Sequence, residues 1–317
     1  MAEIQNDIKS RPVPAPPGNR QRPQYALLLR LLAMVMLAIM FAMVKQISKD
    51  GVHVLEAVFW RQLAGLPIVL IWLYWTGSLS MVATQYPAKH AARMVLGLTA
   101  MAFNFTAMTM LPLAEATTIG FASGIIATLL AATILREPTG YYRWAAIIIG
   151  FAGVLIALQP GHSNFGGMGA VIALIGAVIT SCVAIQLRFM GRTENVGAIV
   201  FWFSLCSMVP LLIAMLFVAK SHDPQTWLNI AGMASAGAIA QILLTTSLRY
   251  GSVSAVVTMD YTSLLWSALI GYFFFDEIPG THIYMGAPVI IAAGIIIAWR
   301  EHALRRNSVL DQGSGAG

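Results

Sequence analysis

Charged residues are scarce in this 317-residue chain, where Asp, Glu, Lys and Arg make up 10% and hydrophobic residues 58%. Soluble domains carry about 25% charged residues, so this composition excludes an ordinary soluble globular protein. The apolar residues come in long runs, and about 20 such residues are enough to cross a bilayer as a helix. Because the polar ends and loops are short, a separate soluble catalytic domain is excluded as well. The sequence predicts a polytopic membrane protein that acts inside the bilayer.

Residues that carry catalytic, metal or redox chemistry are also few. The two cysteines, Cys182 and Cys206, both lie in apolar runs and cannot build a metal site or a redox motif alone. The chain has no HExxH or GxSxG motif and no pair of intramembrane aspartates, and it lacks the GxxxxGK[ST] motif of ATP-binding proteins. We therefore expect no enzyme activity, no metal, no cofactor and no ATP-driven transport by this chain alone.

Ten apolar runs are long enough to span a membrane as helices. Residues 1–26 precede them and are polar and rich in Pro, Arg and Gln, which predicts a disordered tail without the apolar core of a cleavable signal. Breakers such as Leu111-Pro112 and Pro279-Gly280 separate the runs closely, so neighbouring helices must be antiparallel. The predicted spans are 27–47, 54–75, 92–110, 113–135, 143–159, 168–188, 197–219, 228–248, 252–275 and 281–299.

The second half of the chain repeats the first at an offset of about 140 residues, for example at Thr118 and Thr258 and at Ser123 and Ser263. Each copy holds five predicted spans, and an odd number places the second copy upside down relative to the first. The predicted fold is an all-α polytopic membrane protein whose ten transmembrane helices form two inverted five-helix repeats, at 27–159 and 167–299.

Most of the 19 Lys and Arg residues, Arg30 and Arg93 among them, fall on one side of this topology. By the positive-inside rule, that side is cytoplasmic and both termini lie there. Residues 300–317 form a basic cytoplasmic tail that suits anionic lipid better than nucleic acid. The predicted location is the plasma (inner) membrane, as a multi-pass protein.

Two charged residues inside predicted spans have no charged counterpart in the repeat. Asp260 aligns with Gly120, and Arg61 with Phe203. A charge at this depth costs at least about 3 kcal/mol unless it is compensated. Two interpretations stay open: Asp260 and Arg61 pair with each other or snorkel separately, or they contact a substrate or a coupling ion.

Several uncharged or peripheral polar residues add to these candidates. Asn104 and Gln241 lie at mid-depth, where each can bind a substrate or bond to a neighbouring helix. Lys45, Glu56 and Glu115 lie near the outer ends of spans, as interface residues or as an external gate. Glu137 and the pair Asp276-Glu277 are interpreted as helix-end residues of two hairpins.

Small residues form a stripe on the fourth span and again on the ninth, which predicts close helix packing and a place beside a central cavity. The alternative is a lipid-facing helix with incidental small residues. The stripe consists of Gly120, Ser123, Gly124, Ser263, Ser267 and Gly271.

The hairpin sequences and the start of the second span resemble a known family. The hairpins read ILREPTGYYRWAAIIIGFAGVLIAL and FFFDEIPGTHIYMGAPVIIAAGIIIAW, and the second span contains FWRQLAG. With the two five-helix repeats, these segments are similar to the EamA-type branch of the drug/metabolite transporter superfamily. The resemblance implies a carrier with a central cavity between its halves, working by alternating access on amino acids, nucleosides, cofactors, drugs or other metabolites.

The leading hypothesis is a secondary active transporter of a small organic metabolite. Arg61 would bind or balance an anionic group, and Asp260 would meet a cationic group or carry a coupling proton. The alternatives are a channel, a non-transporting scaffold or sensor, and an intramembrane enzyme. The sequence leaves the substrate, the direction of transport, the coupling ion and the oligomeric state open.

Overall fold

The computed structural model describes residues 23–75, 82–84, 86–134, 141–158, 167–191, 193–194, 196–250 and 259–314. These residues form α-helices joined by short connections, with no β-strand among them. The helices are α1 Pro23–Lys49, α2 Val54–Trp75, α3 Pro87–Met110, α4 Leu113–Gly120, α5 Ala122–Ile134, α6 Tyr141–Leu158, α7 Gly167–Met190, α8 Val196–Val218, α9 Pro224–Tyr250, α10 Thr262–Phe275 and α11 Thr281–Ser314.

Seven of these helical stretches are long and apolar enough to cross a membrane by length and composition. Side chains such as Leu216 and Phe217, each 83% exposed, show that the outer surface of the bundle is itself apolar. The chain is therefore a multi-pass membrane protein. The seven stretches are Gln24–Lys49, Val54–Ile71, Pro87–Met110, Leu113–Ile134, Gly167–Met190, Gly197–Val218 and Pro224–Ser247, and shorter apolar helices lie at Trp144–Leu158 and Thr281–Ile297.

Most helix boundaries differ from the predicted ones by a few residues, with α3 beginning at Pro87 and α9 at Pro224, and four differences change the description of the fold. Helix α1 begins at Pro23, because proline suits the first turn of a helix, so residues 23–26 belong to the helix rather than to the tail. The fourth span is divided at Phe121, whose N–H bonds to the carbonyls of both Thr117 and Thr118. In the ninth span a 3₁₀ turn at Met259–Tyr261 leads into α10. Helix α11 continues to Ser314 through the predicted basic tail. Residues 1–22 and 251–258 lie outside the described part.

The helices of the two halves pack against each other in exchanged pairs. Helix α1 packs along α9, and α7, the first helix of the second half, packs along α3. Helix α2 packs against α8, and α6 against α11. Below, the end of the bundle where α1 begins is called the N side, and the end where α1 finishes is called the far side.

Glycines bring the backbones of α6 and α11 into contact. A Cβ atom on Gly286 would lie 2.7 Å from the backbone N of Ala157 and 2.8 Å from the carbonyl O of Gly153. A Cβ on Gly153 would lie 3.0 Å from the backbone N of Ile290. Only residues without a side chain fit such a contact, which is a common packing device between membrane helices.

Candidate functional site

A cavity of about 580 Å³ lies between α2, α3, α7, α8 and α9. The lining residues occupy the middle of the bundle and its N side, from Asn104 on α3 down to Gly191 after α7. The volume is in the range of sites for small organic ligands. The polar side chains in the lining are Arg61, Gln62, Arg93, Asn104, Thr180, Ser204 and Gln241.

Arg61 reaches this cavity from the middle of α2. Its Nη1 donates to Gln62 Oε1 at 3.1 Å and lies 3.6 Å from Met101 Sδ. Its Nε is buried and has no hydrogen-bond partner among the described residues. The Arg61 Cγ lies 3.5 Å from the position that a Cβ on Gly237 would take, so a glycine on α9 makes room for this stem.

Arg93 is a second arginine in the same cavity. Its guanidinium stacks on Phe203, with Cζ 4.2 Å from the ring centroid. Its Nε and Nη1 are buried without a partner in the described part of the chain. A Cβ on Gly97 would lie 2.2 Å from Arg93 Nη1 and 2.5 Å from Phe203 Cε2, so only glycine leaves space for the stacked pair.

The position of Arg93 in the sequence predicts only a topology residue, whereas the structure places it in the cavity wall. One signal was present: Arg61 and Arg93 are each followed four residues later by glycine, in RQLAG and RMVLG. Residues four apart share a helix face, so each arginine lies beside a gap that its own helix provides. Gly65 and Gly97 both line the cavity.

Asn104 and Gln241 also line the cavity, from α3 and α9. Asn104 Nδ2 donates to Thr180 Oγ1 on α7 at 3.1 Å, so this amide makes an interhelical bond while it forms part of the wall. Gln241 is exposed on the cavity face of α9. Three of the four polar candidates, Arg61, Asn104 and Gln241, thus come together at one site.

The fourth candidate, Asp260, lies elsewhere. Arg30 on α1 donates from Nε and Nη2 to the two carboxylate oxygens of Asp260, at 2.5 and 2.6 Å. The expected alternative of a pair between Asp260 and Arg61 is therefore wrong. Arg30, which the sequence predicts as a topology residue, lies near the N side of α1. The 3₁₀ turn that contains Asp260 packs against this helix. Arg61 instead faces the cavity from α2.

The small-residue stripe does not line this cavity, because the described lining residues come from other helices. The stripe instead meets neighbouring elements: Ser267 Oγ accepts a bond from Thr117 Oγ1 at 3.0 Å, and the Ser123 carbonyl accepts one from Ser181 Oγ at 2.7 Å. Ser263 donates to the carbonyl of Asp260, and the Gly271 carbonyl accepts from the N–H of Glu277. Gly120 and Gly124 have open space at the Cβ position.

On the far side, Lys45 and Glu277 join the two halves. The Lys45 ammonium forms an ion pair with the Glu277 carboxylate and donates to the Leu111 carbonyl at 2.6 Å. The second Glu277 oxygen accepts the N–H of Leu113 at 2.8 Å. Glu277 therefore satisfies a free N–H at the start of α4 on the opposite half. Glu277 keeps a helix-end role in its own hairpin through its N–H bond to the Gly271 carbonyl, and its side chain adds a contact between the halves.

A second acid–base contact lies nearby on the far side. Glu56 is 1% exposed and its Oε1 lies 3.0 Å from His222 Nε2. Trp60 and Trp227 pack beside it, with ring centroids 5.3 Å apart. Glu115 and His282 form a longer contact of 3.7 Å. Lys45, Glu56 and Glu115, the expected interface or gate residues, each have a partner here.

The described residues contain no group of three or more His, Cys, Asp and Glu side chains that could hold a metal ion. The polar groups of the cavity are guanidinium, amide and hydroxyl groups. Such groups bind and orient an organic molecule.

Comparison with known proteins identifies a family. The profile of the EamA-like transporter family matches residues 24–159 and again residues 167–299. One crystal structure of a protein aligns with a TM-score of 0.59 at 17% identity, over 89% of this chain and 99% of the other, so the fold is similar.

Curated relatives carry the names of different transporters. The S-adenosylmethionine uptake transporter of Rickettsia prowazekii is 26% identical over 255 residues, which is 78% of this chain and 84% of that protein. The riboflavin transporter of Rhizobium johnstonii is 26% identical over 250 residues, with coverages of 78% and 81%. The pseudopaline exporter of Pseudomonas aeruginosa is 24% identical over 274 residues, with coverages of 86% and 95%.

Proposed function

The chain belongs to the EamA-like transporter family, and we propose that it is a secondary active transporter that moves a small organic metabolite across the inner membrane by alternating access. Relatives that share about a quarter of its residues are named as small-molecule transporters, which supports transport as the activity. Their names include both uptake and export, so they do not indicate the direction of transport by this chain.

One observation carries the mechanism: the cavity occupies the middle and the N side of the bundle, while buried polar pairs close the far side. The lining residues on α7 and α8, which run from Thr180 to Gly191 and from Ile199 to Ser204, lie toward the N-side ends of those helices. The pairs Lys45–Glu277 and Glu56–His222 lie at the opposite end. This is the arrangement expected of a carrier that is open to one side and closed to the other.

The proposed architecture has ten spans in two inverted repeats, at 27–159 and 167–299. Helices α4 and α5 count as one span, and the 3₁₀ turn with α10 as another. The exchanged packing of α1 on α9 and of α7 on α3 supports a two-fold relation between the halves. With the bias of Lys and Arg, we assign the N side and both termini to the cytoplasm. The cavity then faces the cytoplasm in this conformation.

Within this mechanism, Arg61, Asn104 and Gln241 contact the substrate from the cavity wall. Asp260 is assigned to proton coupling, because it lies outside the cavity lining and is held by Arg30 on a helix of the other half. Protonation of Asp260 would remove the charge that holds this contact, and the two halves would then be free to separate there. A coupling role therefore fits the position of Asp260 better than direct contact with the substrate.

The test is uptake by reconstituted protein. Proteoliposomes would be incubated with a mixture of amino acids, nucleosides, organic acids and cofactors, with and without a pH gradient, and the trapped compounds measured by mass spectrometry. A carrier shows saturable uptake that is stimulated by the same compound on the opposite side. Flux without saturation or trans-stimulation would indicate a channel, and no flux of any compound would favour a scaffold or sensor.

A further inference from the structure

The positive charge of the cavity has no countercharge among the described residues. Arg61 and Arg93 both line it, and no Asp or Glu is among the described lining residues. We propose that the transported metabolite is an organic anion whose carboxylate or phosphate group binds between Arg61 and Arg93. This inference rests on the proposed function of the cavity as the substrate site.

The buried and partly buried acids Asp260, Glu277, Glu56 and Glu194 are engaged elsewhere in the described part of the chain. Asp260 is bound by Arg30, and Glu277 by Lys45. Glu56 contacts His222, and Glu194 accepts a bond from Thr84 Oγ1 at 2.7 Å. None of these four carboxylates contacts either cavity arginine. The countercharge of the cavity therefore comes from outside the described protein groups, and a bound substrate can supply it.

The two guanidinium groups meet consecutive turns of α3. Arg93 Nη1 lies against Gly97, because a Cβ there would be 2.2 Å from it. Arg61 Nη1 lies 3.6 Å from the Sδ of Met101, four residues further along the same helix. One helical turn advances about 5 Å, so a single anionic group, or two groups on one small molecule, can contact both arginines.

Both cavity arginines keep hydrogen-bond donors that no described protein group accepts. Arg61 Nε and the Nε and Nη1 atoms of Arg93 are buried without partners in the part of the chain described. A buried donor without an acceptor is costly, and charge-assisted bonds from arginine to carboxylate or phosphate are among the strongest hydrogen bonds. The stacking of Arg93 on Phe203 fixes the plane of its guanidinium, which favours planar two-point recognition.

The remaining wall indicates an organic molecule rather than a simple inorganic ion. Val69, Met101 and Val183 supply apolar surface beside the arginines. Asn104 and Gln241 supply neutral hydrogen-bonding groups deeper in the bundle. A compound with an anionic group and an apolar or planar body matches this distribution of surface.

The experiment is a binding titration on the purified full-length protein in detergent, read as thermal stability at constant ionic strength. The probes are inorganic phosphate, succinate, benzoate and glucose 6-phosphate, with choline and spermidine as cationic counterparts. A ligand that binds only the folded protein raises the melting temperature with its concentration. We expect at least one organic anion to stabilise the wild type, and Arg61→Gln and Arg93→Gln each to weaken its apparent Kd at least about tenfold, as loss of one charge-assisted contact predicts.

Lys220→Gln is the matched control, since Lys220 is an exposed cation outside the cavity, and it should leave the titration unchanged. Arg61→Lys and Arg93→Lys keep the charge and serve where a glutamine variant fails to fold; they should bind the anion more weakly than arginine. Stabilisation only by cations, or by none of the organic anions, would overturn the inference. So would an apparent Kd for the anion that stays at the wild-type value in both glutamine variants. Stabilisation only by added phosphatidylglycerol would overturn it too, by assigning a lipid headgroup to the site.

The uptake assay separates this inference from the proposed function. If proteoliposomes accumulate only cationic or neutral compounds, the transporter assignment stands and the anion assignment fails. If an organic anion binds through both arginines but no compound in the mixture crosses the membrane, the anion site stands and the transport assignment fails.

Discussion

Arg30 and Asp260 are 230 residues apart in the chain, and the guanidinium of one holds both carboxylate oxygens of the other. The pair joins α1 of the first half to the 3₁₀ turn before α10 in the second half. It lies on the N side, whereas the Lys45–Glu277 pair on the far side joins α1 to the connection that follows α10. The first helix is thus bound to the second half near both of its ends.

Asp260→Asn should abolish proton coupling. The variant leaves Arg30 without its countercharge. Loss of one partner of a fully buried pair costs about 3–5 kcal/mol of stability. Because the Asp260 side chain is 32% exposed, we expect a smaller loss of about 1–3 kcal/mol. Uptake in proteoliposomes should lose its dependence on a pH gradient. The double variant Arg30→Gln with Asp260→Asn should melt at a higher temperature than Asp260→Asn alone. Uptake that keeps its rate and pH dependence in Asp260→Asn would remove this residue from the mechanism.

Glu277→Gln should open the far side. The amide oxygen can still accept the Leu113 N–H, but the ion pair with Lys45 is lost. A loss of about 1.4 kcal/mol would shift the balance toward the far-side-open state about tenfold. The readout is labelling of Ser204→Cys, in a background lacking Cys182 and Cys206, by an impermeant maleimide added to the outside of sealed vesicles.

Asp50→Asn is the control for that labelling, because Asp50 is an exposed carboxylate on the same side of the bundle. In the Asp50→Asn variant, the cysteine at position 204 should be labelled at the same rate as in the parent protein. Equal rates in Asp50→Asn and Glu277→Gln would show that the Lys45–Glu277 pair does not keep the far side closed.

Gly286→Ala should destabilise the protein, and Gly124→Ala should not. The new methyl on α11 would lie 2.7 Å from a backbone nitrogen of α6, whereas the methyl at position 124 would meet nothing within 4 Å. We expect a loss of about 1–3 kcal/mol for the first variant from overpacking. The second should be neutral or gain up to about 1 kcal/mol from helix propensity. Melting of the two purified variants in the same detergent decides the point, and matching melting temperatures would argue against close packing at Gly286.

Gln241→Leu and Gln186→Leu separate substrate contact from helix packing. Gln241 lines the cavity, so its replacement should lower kcat/KM for uptake about tenfold with little change in stability. Gln186 Nε2 donates to the Lys89 carbonyl on α3 at 3.3 Å and is not among the cavity-lining residues, so its replacement should cost about 0.6 kcal/mol of stability. Its uptake should stay within about twofold of the wild type. The reverse pattern would make Gln241 a packing residue.

The sequence predicts where helices lie better than it predicts what they touch. Helix α2 has the predicted bounds, because the length of an apolar run is set by bilayer thickness. The helix that packs against a given face is harder to predict, since helical periodicity defines the face but does not identify its neighbour. The stripe containing Ser123 and Ser267 is predicted as one face beside a cavity, and in the structure these two residues bond to Ser181 and Thr117.

The site was predicted in part for the same reason. Arg61, Asn104 and Gln241 were found because polar groups deep in apolar runs are conspicuous. Arg30 and Arg93 lie closer to span ends, where arginine commonly sets topology, so their position alone did not separate an anchor from a site residue. Only three-dimensional contacts distinguish the ion pair of Arg30 from the unpaired donors of Arg93.

The contact between Gly153 and Gly286 sets the geometry of any motion between the halves. Backbones in direct contact cannot move closer, and separating them exposes a long packed surface, so α6 and α11 can turn against each other but hardly translate. Such a contact acts as a fulcrum. Displacement then grows with distance from it, and small rotations at these two helices would become large changes in the width of the cavity entrance.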